Sequence, residues 1–375
     1  MNDAEFFWNK DKAQNLVKKV SDLKSMNFFK GLGNYFDKVQ RMRKIWGMIS
    51  DELLISKEKV ELSASICKTD LTSELVGEFP ELQGLMGGYF SAYQGFDKDI
   101  SLALTEQYLP VGLNSKVPKK PFSIALSITD KIDTMVGFFG INEKPTSSKD
   151  PLALRRTALG VIRTIVENKK NLKLNDLLNY SSSLYKDQGF NLSNKNLQKE
   201  LNDFLKDRFK YYLKEKQIRY DIIDAITSSS SLNKLSSSYQ KAQSLNKIIN
   251  SQIGMDITSA FKRASNILEN EMKNNKIEIN NTTDPGIFKS DYEKNLFKKV
   301  NEIKKYYSNI DNDENYEESL SILADARKEV FDFFDNVKVN EENEILRKNR
   351  LELINMLCKT FQNFTNFQLL KANNE

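Results

Sequence analysis

The feature that most limits the fold of this chain is the three-to-four-residue spacing of its apolar side chains, in a sequence with few helix-interrupting residues. The 375 residues include only 15 Gly and 7 Pro. In residues 35–54, Val39 and Trp46 keep the helical period, and Lys38 and Arg41 on the opposite side are expected to face solvent. No convincing pattern of a parallel sheet is present. The sequence therefore predicts an all-α protein.

The length and composition predict two helical domains. A chain of 375 residues with 39% hydrophobic content exceeds one typical core. After Lys170 the composition shifts toward Asn, Ser and Lys, with fewer glycines. We therefore place a boundary near residues 168–176, which gives domains 1–170 and 171–375.

The charge and the cysteines exclude several classes of protein. The formal net charge is only +5, from 56 basic and 51 acidic residues, so attraction to nucleic acid must come from local patches. Cys67 and Cys358 are too few for a disulfide framework or a zinc knuckle, and we interpret both as small buried apolar groups. Because neither a signal peptide nor a stretch of ~18 apolar residues is present, a cytoplasmic location is expected.

The sequence contains no histidine, which excludes Ser-His-Asp and Cys-His catalysis and any His-ligated metal. Neither a GxxxxGK[ST] phosphate loop nor a GxGxxG between a strand and a helix is present. The glycines of residues 86–95, "MGGYFSAYQG", have the wrong spacing, and we interpret this segment as a helix interruption. No catalytic residue and no metal site are predicted.

One pair of carboxylates needs two interpretations. Asp130 and Asp133 lie three apart on a predicted helix, where a metal ion could bridge them. Two ligands are too few for a metal site, and the structural alternative is pairing with Lys131 or with nearby arginines.

Residues 148–156, "SKDPLALRR", predict a helix start, with Asp150 as its cap and Pro151 at its first position. Arg156, Gly160 and Arg163 then follow on one helix face. A glycine between two arginines allows close approach of a phosphate backbone, and guanidiniums bind phosphates in a forked geometry. The alternative is internal pairing of the arginines at 155 and 156 with Asp130, Asp133 or Glu106.

Two segments of the second half combine basic groups with aromatic or amide groups. Lys262, Arg263 and Asn266 share a predicted helix, and Arg347 and Arg350 lie three apart on the last one. Such groups suit single-stranded RNA, whose bases stack on side chains. The alternative interpretation of the nearby aromatic residues 331, 333 and 334 is an ordinary core.

Four long stretches carry a resemblance to a known family. They are "CKTDLTSELVGEFPELQGLMGGYF", "ALSITDKIDTMVGFFGINEKPTSSKDPLALRRTALGVIRTI", "AFKRASNIL" and "FFDNVKVNEENEILRKNRLELI". With "LTEQYLP", they make the chain resemble the C-terminal half of the β subunit of bacterial tetrameric glycyl-tRNA synthetase. The likeness covers nearly the whole length.

The resemblance implies an HD-like helical domain over 1–170, without the histidines of an HD metal site, and a DALR-type anticodon-binding domain over 171–375. It also implies that ATP, glycine and Mg are bound by a separate α subunit, so that this chain holds no cofactor. The expected partners are tRNA(Gly) and the α subunit in an α2β2 enzyme, with no DNA and no membrane. The family's β subunit has a long portion before the point where this chain starts, so a fragment, a split gene product or an incomplete reading frame is expected.

On this basis we expect the second domain to hold the anticodon arm, and the first to support the tRNA or the α subunit. The expected tRNA-binding residues are Arg156, Arg163, Lys262, Arg263, Asn266, Arg347, Asn349 and Arg350. Arg155 is expected to join helices through Asp130 or Asp133. The alternatives are a scaffold that binds only the α subunit and an HD-type phosphohydrolase.

Overall fold

A computed structural model of the chain consists mainly of α-helices, as predicted. The described residues are 2–275, 279, 282–309 and 315–371. Within these ranges the strands form one two-stranded antiparallel hairpin, β1 (Asn27–Phe29) and β2 (Gly33–Asn34). No helix in the same ranges has the length and apolar character needed to cross a membrane. The predicted all-α class is confirmed.

The chain forms two compact units. The first comprises Met1–Tyr212 and Leu232–Ser236, and the second comprises Leu213–Ser231 and Ser237–Glu375. The first unit therefore extends well past residue 170, where the change in composition places the boundary. The amino-acid composition of a segment does not show which unit the segment packs against, so it could not place this boundary.

The first unit contains helices of widely different length. In chain order its α-helices are α1 (Asn2–Asp11), α2 (Leu16–Lys19), α3 (Tyr35–Leu53), α4 (Lys57–Ile66), α5 (Glu74–Glu78), α6 (Leu85–Tyr93), α7 (Lys98–Glu106), α8 (Pro121–Gly140), α9 (Leu154–Glu167), α10 (Leu174–Asp187) and α11 (Leu197–Glu215), which runs past Tyr212. Its 3-10 turns are Val20–Ser25, Thr69–Thr72, Pro80–Leu82 and Leu232–Lys234. Helix α3 begins with a capping box, in which the side chains of Asn34 and Asp37 each accept the other's backbone N–H.

Helix α8 is the central element of the first unit. It packs against α3, α7, α9 and α10, and nearly all of its residues are buried. A helix that is surrounded on all sides needs no polar face, which explains the mostly apolar sequence of α8. Because α10 packs on α8 and α3, residues 174–187 belong to the first unit although they follow the predicted boundary.

Two glycines allow helices to approach closely in this unit. A Cβ atom on Gly137 of α8 would lie 2.3 Å from the hydroxyl oxygen of Tyr185 on α10. A Cβ atom on Gly88 would collide with Thr105 of α7. Gly88 lies inside α6, so the prediction of a helix interruption at residues 86–95 is wrong. These glycines serve packing between helices.

The second unit is also helical. Its α-helices are α12 (Tyr220–Ser229), α13 (Leu235–Ile248), which begins within the first unit, α14 (Gln252–Asn275), α15 (Asp291–Asn309), α16 (Tyr316–Ala324), α17 (Arg327–Asn336) and α18 (Glu344–Gln362), with 3-10 turns at Pro285–Ile287 and Phe367–Leu369. Helix α14 packs against α16, α17 and α18. Phe261, Phe361 and Phe367 form an aromatic cluster there, with ring centroids 5.8–6.0 Å apart. This cluster forms part of the core of the second unit.

The cysteines lie in different units and both are buried with free thiols. Burial raises the pKa of Cys67 and of Cys358 to about 12, because a thiolate is poorly solvated in either core. The interpretation of both as buried apolar groups is confirmed.

Candidate nucleic-acid interface

Asp150 caps the start of α9 as predicted, but the helix begins later than the sequence suggests. Its carboxylate accepts the backbone N–H groups of Leu154 and Arg155, at 2.8 and 3.0 Å. Ala153 adopts a left-handed conformation before the first helical residue, Leu154. Pro151 therefore precedes the helix, and its predicted place at the first helical position is wrong.

Arg156 is exposed and lines a cavity of about 360 Å³ in the first unit. Arg208 and Tyr211 of α11 line the same cavity, together with Leu113 and Leu159. We call it the arginine cavity. Of the first-unit residues expected to bind tRNA, Arg156 is the one whose position allows contact with an external phosphate.

Arg163 lies on the same helix but is buried. Its Nε donates to Glu167 Oε1 at 2.7 Å, and its Nη atoms donate to the carbonyl oxygens of Gly112 and Ser115 at 2.5 and 2.8 Å. These hydrogen bonds link the loop that follows Pro110 to α9. Because internal acceptors hold its donors, the structure favours a structural role for Arg163 over the expected contact with tRNA phosphate.

Gly160 has an internal role as well. A Cβ atom at this position would lie 2.9 Å from Cε of Lys131, so the missing side chain makes room for the stem of a buried lysine. The Lys131 ammonium donates to the carbonyl of Leu109 at 2.7 Å and to the hydroxyl of Ser127 at 2.9 Å. Gly160 thus allows Lys131 of α8 to pack against α9. This packing explains the glycine without the predicted close approach of a phosphate backbone.

Asp130 and Asp133 form a buried ionic cluster with cations of α3 and of the α4–α5 segment. Lys38 Nζ lies 3.2 Å from a carboxylate oxygen of each aspartate, and Lys68 Nζ lies 3.0 Å from Asp130. Arg41 binds both oxygens of Asp133, at 2.7 and 3.1 Å. Lys38 and Arg41 are 2% and 1% exposed, so the prediction that they face solvent is wrong.

The cluster keeps its carboxylates ionised. Burial alone would raise the pKa of Asp130, but the nearby ammonium groups of Lys38, Lys68 and Lys131 outweigh burial and lower it well below its usual range. Burial likewise opposes ionisation of Asp133, and Arg41 and Lys38 lower its pKa. Because Lys38, Lys68 and Arg41 already hold both carboxylates, the structural interpretation explains them better than a bridging metal does. The expected partner Lys131 instead donates its hydrogen bonds to Leu109 and Ser127.

Arg155 takes a different place from the one expected. It is half-buried on α9, and its guanidinium donates to the backbone carbonyl of Thr146 in the preceding loop. The cations bound to Asp130 and Asp133 come instead from residues earlier in the chain. The proposed link from Arg155 to Asp130 or Asp133 is therefore wrong.

In the second unit, Arg263 belongs to a partly exposed cationic and aromatic surface on α14 and α17. Its guanidinium carbon lies 5.1 and 5.2 Å from the ring centroids of Phe331 and Phe334, and it pairs with Asp335 at 2.6 Å. Arg327 lies over the other part of the surface, 5.0 Å from the Phe331 centroid. We call this surface the α14–α17 face.

Lys262 and Asn266 lie on α14 with Arg263, the former half-buried and the latter exposed. The core interpretation of the neighbouring aromatics is correct for Phe333, which is fully buried, whereas Phe331 and Phe334 are half-buried beside Arg263. The predicted group on α14 thus contains the accessible amide of Asn266 and the guanidinium of Arg263, which lies against two aromatic rings.

The predicted group on α18 is mostly internal. Asn349 exchanges two hydrogen bonds with the backbone of Asp284, at 2.8 and 3.0 Å. Arg350 donates to Glu293 Oε1 at 2.9 Å and to the carbonyl of Lys338 at 2.8 Å. Both side chains are buried and bound to internal partners, which favours a structural role over the expected contact with tRNA.

Arg347 is half-buried, and its Nη1 lies 3.5 Å from Asn340 Oδ1. Its Nε is buried without a hydrogen-bond partner. Arg347 is therefore less committed to internal contacts than Arg350, and its role toward tRNA stays a prediction.

The sequence interpretation missed Arg208 and Tyr211. Both lie on α11, and the sequence pattern alone does not single them out from the other polar residues of that helix. Arg208 and Tyr211 are one helical turn apart, which was a usable signal for a shared surface. Their position opposite α9 is a tertiary feature that the local pattern does not contain.

Comparison with known proteins defines the class to which these helical units belong. A profile described as "DALR anticodon binding domain" matches residues 257–372, which include the α14–α17 face. A profile described as "Glycyl-tRNA synthetase beta subunit" matches residues 1–228, more than half of the chain. The chain belongs to the glycyl-tRNA synthetase beta subunit family.

Relatives from Rickettsia species agree with this assignment. The chain is 37% identical to the glycine–tRNA ligase beta subunit of Rickettsia canadensis (strain McKiel) over 98% of its length and 52% of the relative. It is 35% identical to that of Rickettsia africae (strain ESF-5), over 99% of its own length and 53% of the relative. The chain thus spans about half the length of the curated relatives it matches.

Proposed function

We propose that the chain is the tRNA-binding part of the β subunit of glycine–tRNA ligase, and that its second unit holds the anticodon arm of tRNA(Gly). The match of an anticodon-binding profile to residues 257–372 is the observation that carries this proposal. The α14–α17 face within that range supports it. A guanidinium beside two aromatic rings, with an exposed amide nearby, suits unstacked bases and their phosphates.

The role of such a part in the reaction is positioning. In the proposed enzyme the α subunit binds ATP, glycine and Mg and forms the ester, within a cytoplasmic α2β2 assembly. Binding energy from contacts remote from the reacting atoms fixes the approach of the terminal adenosine to the active site. No catalytic group is assigned to the present chain.

The first unit is proposed to support the tRNA or the α subunit. Arg156 is the expected phosphate contact because it is exposed and lines a cavity with further arginines. The phosphohydrolase alternative is not favoured. Lys38, Lys68 and Arg41 neutralise the two buried aspartates that such chemistry would need.

Titration of the full chain with tRNA(Gly) and with an anticodon-altered tRNA of the same fold tests the proposal. Losing one base contact is expected to weaken binding by at least about fivefold, since stacking of a base on a side chain contributes about 1–3 kcal/mol. Equal affinity for both tRNAs would count against anticodon binding. Binding to the α subunit without any binding to tRNA would favour the scaffold alternative.

A further inference from the structure

We infer that the arginine cavity of the first unit binds a nucleoside phosphate, with the phosphate between Arg156 and Arg208 and the base against Tyr211. The cavity lies between α9 and α11, within the first unit. The inference does not rest on the anticodon proposal, which concerns the second unit.

The charge of the cavity is strongly positive. Four arginines line it, and none of its described lining residues is acidic. Arg163 is neutralised by Glu167, and Arg155 donates to the backbone of Thr146. Arg156 and Arg208 therefore supply the two guanidiniums that are open to a ligand. Two such groups match the oxygens of a phosphate in a forked geometry.

Arg208 is half-buried, and its Nε has no hydrogen-bond partner among the described residues. Buried polar atoms in native proteins are nearly always satisfied, so Arg208 is not committed to an internal acceptor through this atom.

The apolar part of the lining selects the rest of the ligand. Tyr211 lies with its ring centroid 5.6 Å from the Arg208 guanidinium carbon, and Pro110, Leu113 and Leu159 form further apolar wall. A bare phosphate would leave this wall uncovered, and a purely apolar ligand would leave the guanidiniums unpaired. A planar base joined to a phosphate satisfies both parts.

The volume agrees with this size of ligand. About 360 Å³ lies within the range of about 300–1,000 Å³ that is typical of small-molecule sites. A nucleoside phosphate can reach the cavity as a free nucleotide or as an unstacked nucleotide of an RNA chain. The chemistry of recognition is the same in both cases.

Calorimetric titration of the full chain with AMP, adenosine and ribose 5-phosphate tests the inference. AMP is expected to bind, and each of the two partial compounds is expected to bind at least about tenfold more weakly, since each loses one set of contacts. No AMP binding up to about 10 mM, or equal binding of all three compounds, would overturn the inference.

Variants place the binding in the cavity. Arg156→Ala and Arg208→Ala are each expected to weaken AMP binding about tenfold or more, and Tyr211→Leu several-fold, whereas Tyr211→Phe keeps most of the affinity. Arg208→Lys retains the charge and guards against a folding defect. The matched control is Arg43→Ala, an arginine of the same unit with a side chain 37% exposed that pairs with Glu61 outside the cavity. If Arg43→Ala weakens AMP binding as much as Arg208→Ala does, the assignment to this cavity is wrong.

The same variants identify the source of the nucleotide. If AMP competes with tRNA and Arg208→Ala weakens both, the natural occupant is an RNA nucleotide. If AMP binding is lost while tRNA binding is unchanged, the occupant is a free nucleotide. Either result supports the cavity as a nucleoside phosphate site, and the failure of anticodon reading would leave both results intact.

Discussion

Arg41 and Asp133 form a two-pronged ion pair inside the first unit, with N–O distances of 2.7 and 3.1 Å, although 92 residues separate them in the chain. Both side chains are fully buried. Lys38 and the hydroxyl of Tyr185 also bind Asp133, each at 3.2 Å. With these partners, the pair joins α3, α8 and α10.

Breaking this pair on one side is expected to destabilise the first unit strongly. Asp133→Asn leaves the Arg41 guanidinium buried without its counter-charge, which costs about 3–5 kcal/mol in comparable sites. Urea unfolding followed by circular dichroism measures the loss. The control is Glu61→Gln, which removes the exposed partner of Arg43 and should cost less than about 1 kcal/mol. Similar losses for the two variants would contradict the assigned role of Asp133.

Lys131 predicts a pH dependence of stability. Burial is the main reason why its pKa is lowered to about 7; Asp130 opposes the shift, and Lys68 and Lys38 add to it. The unfolded chain keeps this proton up to the ordinary pKa of 10.5, so it binds more protons than the folded chain above about pH 7. The free energy of unfolding should therefore rise with pH from this group, by up to about 1.4 kcal/mol per pH unit.

Urea titrations between about pH 7 and about pH 8.5 test this dependence. Lys131→Met should flatten the rise in unfolding free energy, whereas Lys44→Met, at an exposed lysine of α3, should leave the rise unchanged. A rise of the same size in wild type and Lys131→Met would show that another group controls it.

The two cysteines are expected to resist modification in the folded chain. Only the thiolate reacts readily, and burial raises the pKa of Cys67 and Cys358 to about 12. Reaction with a thiol reagent near pH 8 should therefore follow unfolding, with Cys67 reporting on the first unit and Cys358 on the second. Leu54→Cys, at a position that is 94% exposed, provides a thiol that should react at once. Rapid labelling of Cys67 in the folded chain would contradict its burial.

Gly137 and Gly47 predict opposite effects of the same substitution. Gly137→Ala would place a methyl group 2.3 Å from the Tyr185 hydroxyl oxygen, and overpacking of this kind costs about 1–3 kcal/mol. Gly47 lies inside α3, and a Cβ added there would meet nothing within 4 Å apart from its chain neighbours and the backbone of its own helix, so Gly47→Ala should stabilise the chain by up to about 1 kcal/mol. Thermal unfolding of the two variants measures the difference. Destabilisation by Gly47→Ala would contradict the open surroundings of this residue.

Alanine variants of Arg263 and Arg350 should distinguish a loss of tRNA binding from a loss of folding stability. Arg263→Ala removes a partly exposed guanidinium and should weaken tRNA binding, with a decrease of about one in the salt slope if it meets a phosphate. Arg350→Ala removes the buried partner of Glu293 and should lower stability, with little effect on the affinity of the folded fraction. Filter binding at several salt concentrations, with unfolding curves for both variants, distinguishes these effects. The reverse pattern would show that α18, and not α14, meets the RNA.

The fold class was predictable from the sequence because the helical period is local. The burial of Lys38 and Arg41 was not predictable, because both lie opposite the apolar face of α3, where polar residues normally face solvent. They are buried because Asp130 and Asp133 lie beside them in the folded chain. Charge identity alone does not reveal a partner more than 90 residues away.

The candidate site was only partly predictable for the same reason. Arg156 and Arg163 share one helix face in the sequence, but only the second has acceptors from the 112–115 loop. On α18 the sequence shows the charge of Arg350 but not its partner Glu293, which comes from α15. The family resemblance identified the class of protein correctly, while packing decided which cations stay accessible.

The decisive measurement is the affinity of the intact, folded chain for tRNA(Gly) across a series of salt concentrations. We expect binding at low ionic strength that weakens linearly in a plot of log affinity against log salt, because guanidinium and ammonium groups displace counterions from the phosphates. If the folded chain does not bind tRNA(Gly) even at low ionic strength, the proposed role in tRNA binding is wrong.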